Sequence, residues 1–558
     1  MSAVVPEADT RRVLVRPCPE PKHGDYQANA LMMLARQHRL NPRELAEKVV
    51  AALDVSSWCE QVTVAGPGFI NFRLSGSALN ARLQHVLGSG GSFVEATAEP
   101  RTVVIDFSSP NVAKPMHVGH IRSTILGDAL ARVFRRLGHR VITDNHIGDW
   151  GTQFGMLIVG WRTLLNEEAL QRDPIAELER LYQAVNHAAK EDGSVRDQAR
   201  AQLVKLQGGD LENLSIWRRM QALSQSQFDS VYARLGIRFD HTLGESFYND
   251  QLAGVLGELS RAGISEESDG AQVVFFRDHS TLHDKPALIR KSDGAANYCT
   301  TDLATLRHRV KQWQADEILY VTDGRQQLHF QQVFAIFGKW HPACAAKLEH
   351  VWFGSILGPD GKPFKTREGE VVKLTALLDE AESRALAAVT EKNGELPPTQ
   401  RIEIARAVGL GALKYADLSN NRQSDYVFDW DKMLSLQGNT APYLQYACTR
   451  VRGIFRRGEM PDTQGATLAL AAPQELALAK RLLNFGLVLE MVAAEYRPNY
   501  LCSYLYDLAG DFTAFYEACP VLKAPPVERQ SRLALCKLTS LVLREGLDLL
   551  GIEVPDQM

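Results

Sequence analysis

Two histidines, His117 and His120 in the run His117-Val118-Gly119-His120, are the residues of this chain whose types and spacing point most directly to chemistry. At i and i+3 on the opening turn of a helix, two imidazoles lie on one side. There they can donate hydrogen bonds to phosphate oxygens as negative charge builds at an α-phosphorus. Gly119 between them, having no side chain, lets an adenine ring approach the backbone. On local evidence the stretch Gly361-Lys362-Pro363-Phe364-Lys365-Thr366-Arg367 reads as an Asp360-Gly361 turn with solvated lysines.

These side chains need a scaffold, and the flanking sequence supplies one. RTVVIDF has the pattern of a buried strand, SSPNVAKPMHVGH of a loop, and Ile121–Leu137 of a helix with apolar residues at Ile121, Ile125, Ala129, Val133 and Leu137. HRVITDNH is a second strand, so the segment is a βαβ unit. Residues 155–235 read as a helical insertion rich in Gln, Glu and Arg. Beyond it AQVVFF, DEILYVT and LEHVWFG are strand candidates beside helical segments. Two βα halves around an interruption predict an α/β fold with a doubly wound parallel sheet. In such folds the loop after the first strand binds nucleotides, because the next helix offers free N–H groups and the positive end of its dipole to phosphate. Here that loop carries the histidines in place of a G-x-G-x-x-G run.

Residues 1–100 read as a small α+β domain. It has a helical stretch near Tyr26–Arg39, another after Asn41-Pro42, and the extended run QVTVAGPGFINFRL; the small-residue, acidic stretch Glu95–Pro100 is a boundary. After EKNGELPPTQ the pattern is helical to the end, predicting an all-α bundle over 391–558 and leaving 101–390 as the α/β domain. The 558 residues suit three to four domains, roughly one per ~150 residues. With 62 Lys+Arg against 66 Asp+Glu, the formal net charge of −4 gives no bulk attraction for nucleic acid, so a polynucleotide must be held by local clusters. The eight cysteines include no C-x-x-C pair, which argues against a zinc knuckle or a redox motif and suits a reducing cytoplasm. No apolar run reaches the ~18 residues of a membrane helix.

HVGH after SSPNVAKP, followed by the stretches GHIRSTILGDAL, NHIGDWGTQFG, YCTTDLA and GNTAPYLQYA in that order, resembles the class I aminoacyl-tRNA synthetases, and among them the arginyl-tRNA synthetase family. The likeness spans most of residues 21–558. It implies a class I Rossmann-like catalytic domain, an additional N-terminal domain that contacts the tRNA elbow through its D-loop, and an anticodon-binding helical domain. The implied reaction is attack of the arginine carboxylate on the α-phosphate of ATP, then transfer of the arginyl group to the 2′-hydroxyl of the terminal adenosine of tRNA(Arg), with activation itself dependent on tRNA. The partners implied are tRNA(Arg), L-arginine and ATP, with Mg²⁺ carried on the ATP phosphates and no protein-bound metal. The chain is expected to be a cytoplasmic monomer with no membrane partner.

Carried over residue by residue, the resemblance makes His117, His120, Lys114 and Lys365 catalytic, and His117, Gly119, His120, Lys362 and Lys365 the ATP-binding set. Lys362 and Lys365 stand for the two lysines of a degenerate K-M-S-K-S loop, and a family member with a weak loop is expected to lean on Lys114. Ser109, Asn111 and Gln326 match positions that hold the amino and carboxylate ends of arginine, while Glu245, Tyr298 and Asp302 match those around the guanidinium. From local sequence alone Glu245 and Asp302 read more often as helix-capping or solvated acids, and the resemblance reverses that reading. For tRNA the resemblance singles out Tyr443, Tyr446, Arg450 and the terminal Met558 at the anticodon surface, with Phe69 as a stacking face and Asn71 as a base-edge hydrogen bonder at the elbow. On local grounds the cluster Arg450, Arg452, Arg456 and Arg457 is also a solvated helix face, and Phe69 a buried core residue. His146–Gln153 belongs to the active-site wall or to a structural turn, with no chemical role assigned. Two other readings stand beside this one: a different class I synthetase or small H-x-G-H nucleotidyltransferase, and a catalytically silent tRNA-binding protein, which would be expected to lack His117, His120 or the acids.

Overall fold

The segment Thr102–Asp106 is buried along nearly all its length, as a strand covered on both faces must be. In the computed structural model, which describes residues 4–5, 15–18, 20, 22–364, 371–457 and 466–558, it pairs in parallel with Arg140–Asp144 on one side and Glu317–Tyr320 on the other. Asp106 thus stands opposite both Asp144 and Tyr320. Lys347–His350 adds a fourth parallel strand beyond Glu317–Tyr320. The sheet order is therefore Lys347–His350, Glu317–Tyr320, Thr102–Asp106, Arg140–Asp144. The winding reverses between the two central strands, and in folds of this kind ligands bind outside the carboxyl ends of the strands at such a reversal.

Helix Val118–Arg136 makes the first crossover. It starts three residues before Ile121 because His117 caps it, and it lies close on the sheet because Gly127 has no side chain: a Cβ there would meet the Phe107 ring at 2.2 Å. The stretch expected as a helical insertion over 155–235 forms five helices, Gln153–Leu164, Glu167–Arg172, Pro174–Glu191, Gly193–Gln207 and Leu211–Leu235. The strand expected in AQVVFF is present as Ala271–Val274 but lies outside the parallel sheet, pairing antiparallel with Glu266–Ser268 and Ala287–Arg290. Asp269 and Gly270 both adopt positive φ, 51° and 75°, and close a two-residue hairpin that a parallel strand could not use.

By compactness the chain falls into two units, each assembled from separated stretches. One comprises Ala96–Gln445, Met491–Cys502 and Leu547–Met558 and holds the parallel sheet. Its helices Leu374–Lys392 and Pro398–Leu418 pack closely, since Gly409 lies against the Ala381 carbonyl where a Cβ would stand 2.5 Å away. The other comprises Met1–Glu95, Tyr446–Glu490 and Ser503–Gly546. It contains a four-stranded antiparallel sheet in the order Val15–Pro17, Tyr26–Ala28, Phe69–Leu74, Cys59–Ala65, over a core of Leu31, Ala35, Leu45, Ala46, Val49 and Ile70. The helix expected near Tyr26–Arg39 is shorter, Leu31–Gln37, because Tyr26–Ala28 is taken up as a strand. Within this unit Lys480 pairs with Asp25 at 2.7 Å and the Tyr26 hydroxyl donates to Asn484 Oδ1 at 2.5 Å, so N-terminal and C-terminal stretches share one body. Among the described residues no helix is long and apolar enough to cross a membrane.

Candidate active site

His117 is the extended residue at which the loop turns into helix Val118–Arg136, and its ring folds back so that Nδ1 accepts the Gly119 N–H at 3.1 Å. One turn on, His120 Nδ1 accepts the His117 N–H at 3.0 Å. Two otherwise unpaired helix N-terminal donors are thereby satisfied, and the rings meet at 4.0 Å between centroids. A nitrogen that accepts carries no proton. In the neutral rings the hydrogen therefore sits on Nε2 of both histidines, the atom left to donate to a ligand. Burial, with the His117 charge added, pushes the His120 value down to about 3. Burial followed by Arg325 and Lys114 lowers His117. Both imidazoles are neutral donors at pH 7, suited to a phosphate on which charge develops. Gly119 has a second task besides leaving its outer face open, since a Cβ there would lie 2.9 Å from Cε1 of the His117 ring.

The loop before the histidines is held by residues far away in sequence. Ser108, Ser109 and Ala113 all have positive φ, 73°, 48° and 62°. These conformations are unfavourable for residues with a Cβ and persist only where the surroundings fix them. Ser108 N–H donates to Ser123 Oγ at 2.8 Å, Ser109 N–H to Asn145 Oδ1 at 3.0 Å and Ala113 N–H to Ser224 Oγ at 2.9 Å. The Ser109 hydroxyl donates to Asp106 Oδ1 at 3.0 Å. Asn111 is exposed beside Gly148, whose missing side chain admits it: a Cβ on Gly148 would collide with Asn111 Oδ1 at 2.2 Å.

Beneath this loop Arg309, fully buried, donates from one Nη2 to Asp106 and Asp144, each at 2.7 Å, across the ends of two adjacent strands. Asp144 in turn accepts the Leu243 N–H at 3.3 Å, which leads the chain into Glu245. Asp149 fixes the next turn, accepting from the Ser246 N–H at 2.8 Å and the Ser246 hydroxyl at 2.6 Å; Gly244 makes way for it, because a Cβ there would be 2.4 Å from the carboxylate. Glu245 is consequently held in a largely buried place. Burial pushes its carboxyl up to about 7; the nearby His146 opposes the rise, and Asp302 and Asp149 add to it. Asp302 and Tyr298 lie one turn apart on helix Tyr298–Lys311, with Tyr298 61% exposed and its ring 4.9 Å from that of His329. His329 Nε2 approaches Asp302 Oδ2 at 2.5 Å. Gln326 is exposed at the end of the turn Gly324–Gln326, which Asp323 caps.

On the other flank Lys362 sits in a turn closed by the Gly358 N–H to the Lys362 carbonyl at 2.7 Å, with Gly361 at φ 72°. Phe364 stacks on Phe428 at 4.5 Å. Lys365 lies outside the described residues. Where the description resumes, the Val372 carbonyl accepts the Val118 N–H at 2.9 Å and the Leu374 N–H donates to the Met116 carbonyl at 2.9 Å, so the far end of this loop is stitched to the histidine turn. Lys114 is exposed and stands 5.6 Å from the centre of the Tyr182 ring.

The family model for class I tRNA synthetases (R), catalytic domain, matches residues 82–430, more than half of the chain. The chain belongs to the arginyl-tRNA synthetase family. The family's N-terminal domain model matches residues 1–74 and the DALR anticodon binding domain model residues 444–558. The arginine–tRNA ligase of Hahella chejuensis is 47% identical over 98% of this chain and 96% of its own. That of Azotobacter vinelandii is 48% identical over 100% and 96%. Among solved structures, the arginyl-tRNA synthetase of Plasmodium falciparum superposes with a TM-score of 0.85 at 29% identity, covering 100% of this chain and 97% of that one. The Thermus thermophilus arginyl-tRNA synthetase gives 0.83 at 27%, covering 98% and 96%.

The arginyl-tRNA synthetase resemblance also singled out residues away from the crevice, and their settings differ. Arg450 lies 5.9 Å from the ring centres of both Tyr446 and Tyr516, an exposed cation between aromatics. Tyr443, on the same helix Ala441–Arg457, is half-buried. The side chains of Arg456 and Arg457 lie outside the described residues. Met558 packs, partly covered, against Ala385, Val389, Ile404, Ala405 and Val408. Phe69 is half-buried at the start of its strand, whereas Asn71 is only 3% exposed and its Oδ1 accepts from Gln27 Nε2 at 2.7 Å, so a base contact by Asn71 requires that bond to open. Asn145, His146, Asp149, Arg309 and His329 were not singled out individually from sequence. Only Asn145, His146 and Asp149 had a signal, their place in the stretch NHIGDWGTQFG.

Proposed function

We propose that the crevice at the switch point activates arginine with ATP and passes it to tRNA(Arg). The activity is arginine–tRNA ligation, that of a class I aminoacyl-tRNA synthetase. The observation that carries the mechanism is the pair of neutral imidazoles whose Nδ1 atoms are occupied by backbone N–H groups. Their Nε2–H groups donate to the phosphates of ATP and gain strength as the arginine carboxylate attacks the α-phosphorus and charge spreads over its oxygens. Neither histidine exchanges a proton in this step, and no covalent enzyme intermediate is needed: positioning and electrostatics carry the rate. Lys114, Lys362 and Lys365 neutralise the departing pyrophosphate, and Mg²⁺ enters on the ATP phosphates as part of the substrate.

Glu245 and Asp302 take the guanidinium and Tyr298 walls it, a set of acceptors and an aromatic face matched to a planar cation with five donors. Ser109, Asn111 and Gln326 hold its amino and carboxylate ends. A polar site of this kind rejects analogues that lack its partners by roughly 10⁴–10⁵, so no editing step is required. The arginyl group then moves to the 2′-hydroxyl of the terminal adenosine. Residues 101–390 carry the chemistry, 1–100 meet the tRNA elbow through Phe69 and Asn71, and 391–558 meet the anticodon through Tyr443, Tyr446, Arg450 and Met558. The enzyme acts as a cytoplasmic monomer. ATP–pyrophosphate exchange with arginine, run with and without tRNA(Arg), tests the whole reading. Exchange only with tRNA is expected; exchange that is indifferent to tRNA removes the tRNA-dependent activation, and none in either condition removes the enzyme.

A further inference from the structure

The contact between His329 and Asp302 brings together two helices, Tyr298–Lys311 and Gln327–Trp340, beside the exposed Tyr298 ring. His329 Nε2 lies 2.5 Å from Asp302 Oδ2, while Oδ1 of the same carboxylate has no partner among the described residues. The imidazole is itself held between the rings of Tyr298, 4.9 Å away, and Phe330, 5.1 Å away. To face a carboxylate at this distance Nε2 must carry a hydrogen, which it does both in imidazolium and in the neutral Nε2–H tautomer.

We propose that His329 is a positioning and specificity residue for arginine: by binding Oδ2 it fixes the plane of the Asp302 carboxylate and reserves Oδ1 for the guanidinium. The proposal rests on the reading of Asp302 as a guanidinium acceptor given above. An aspartate carboxylate on its single methylene turns readily about its terminal torsion, which is broad and roughly two-fold. A guanidinium is a rigid fork and loses hydrogen bonds when its acceptor turns, whereas a lysine ammonium is a point charge with three rotatable donors and loses little. Pinning the carboxylate thus favours arginine over lysine without adding a contact to either. No other described histidine is within hydrogen-bonding distance of either guanidinium acid: His146 Nδ1 is engaged with the Leu243 carbonyl at 2.9 Å, and His350 Nε2 with Thr322 Oγ1 at 2.8 Å.

The test is steady-state ATP–pyrophosphate exchange on the full chain with tRNA(Arg), with arginine varied and lysine as a competitor. His329→Ala is expected to raise the KM for arginine about 10-fold or more, the worth of one hydrogen bond to a charged group, with kcat within about 3-fold and the inhibition constant of lysine nearly unchanged. His329→Gln, whose amide nitrogen can donate to the same oxygen, is expected to recover most of that loss. An unchanged KM in His329→Ala overturns the proposal. So does a loss in kcat at constant KM, which places the residue at the chemical step, and so does an equal loss in the Gln variant, which reduces His329 to packing. Absence of arginine-dependent exchange in the unaltered chain would instead sink the underlying assignment of the site, and the proposal with it.

Discussion

The rings of the His117–His120 turn are oriented by backbone groups two or three residues away, whereas the surroundings of Glu245 and Asp302 are set by residues from across the chain. In the histidine turn every bond that orients a ring spans two or three residues. In the pocket, Asp302 meets His329 across 27 residues, Asp149 meets Ser246 across 97, and Arg309 reaches Asp106 across 203. The difference shows in protonation as well. The two imidazoles are held neutral, one by burial and its neighbouring histidine, the other by burial and two flanking cations. Glu245 is held near the point of ionisation by burial, and a guanidinium can finish the process. A local motif delivers rigid neutral donors; a pocket assembled at long range delivers charge that its ligand completes.

The comparison can be broken first at the histidines. His120→Ala removes one donor to the phosphates, and pyrophosphate exchange should fall by about 10²–10³-fold in kcat, with tRNA affinity measured by filter binding nearly the same. A near-normal rate would leave the turn a helix cap and nothing more. The pocket should respond in a different kinetic constant. Asp302→Ala leaves a guanidinium short of a charged partner, and the KM for arginine is expected to rise roughly 10–100-fold, while the KM for ATP stays put; an unaltered KM for arginine moves the pocket elsewhere. Gly119→Ala sharpens the local side: the new Cβ, 2.9 Å from the His117 ring, must turn that ring, and a misplaced donor should cost ~10-fold or more in kcat with no change in the KM for arginine.

A pH series separates the two regions without mutation. The Glu245 carboxyl is raised to about 7, so the carboxylate proposed to take arginine is lost as pH falls through 7. The KM for arginine should therefore climb by up to about 10-fold between pH 8 and pH 6, and Glu245→Gln should flatten the climb. In the empty enzyme the sign for stability is the reverse. A carboxyl whose folded value exceeds its unfolded value of ~4.3 contributes stability at low pH and loses it as pH rises to about 7. In the folded enzyme His120, at about 3, stays neutral from pH 8 to pH 6 and should add no inflection to the KM profile; its lowered value instead withdraws stability as pH falls below the unfolded value of ~6.5. The smallest effect belongs to another locally determined feature, the Tyr446–Arg450 pair four residues apart on one helix. Tyr446→Ala should weaken tRNA binding by about 1 kcal/mol and leave exchange kinetics at saturating tRNA unaltered.

What could be read from the chain follows the same division. The strand at Thr102–Asp106 and the helix after the histidines were legible because burial on both faces and a 3.6-residue apolar period leave direct marks in sequence. The placement of Ala271–Val274 was not. A short apolar run carries the same pattern in a parallel sheet as in a hairpin, and the partner strands decide which. Asn71 illustrates the converse: its type suits a base contact, and only the neighbouring strand shows its amide already bonded to Gln27.

By itself the sequence determined the capping bonds that orient the two histidine rings, the glycine between them and the order of strand, loop and helix, because the ring bonds span two or three residues and the order is read directly from the apolar pattern. The tertiary structure alone decided that Glu245 is held near neutrality close to Asp302 and Asp149, that Arg309 ties Asp106 to Asp144, and that His329 meets Asp302. Those properties arise from desolvation and from hydrogen bonds between groups brought together by the sheet, and neither quantity exists until the chain has closed around them.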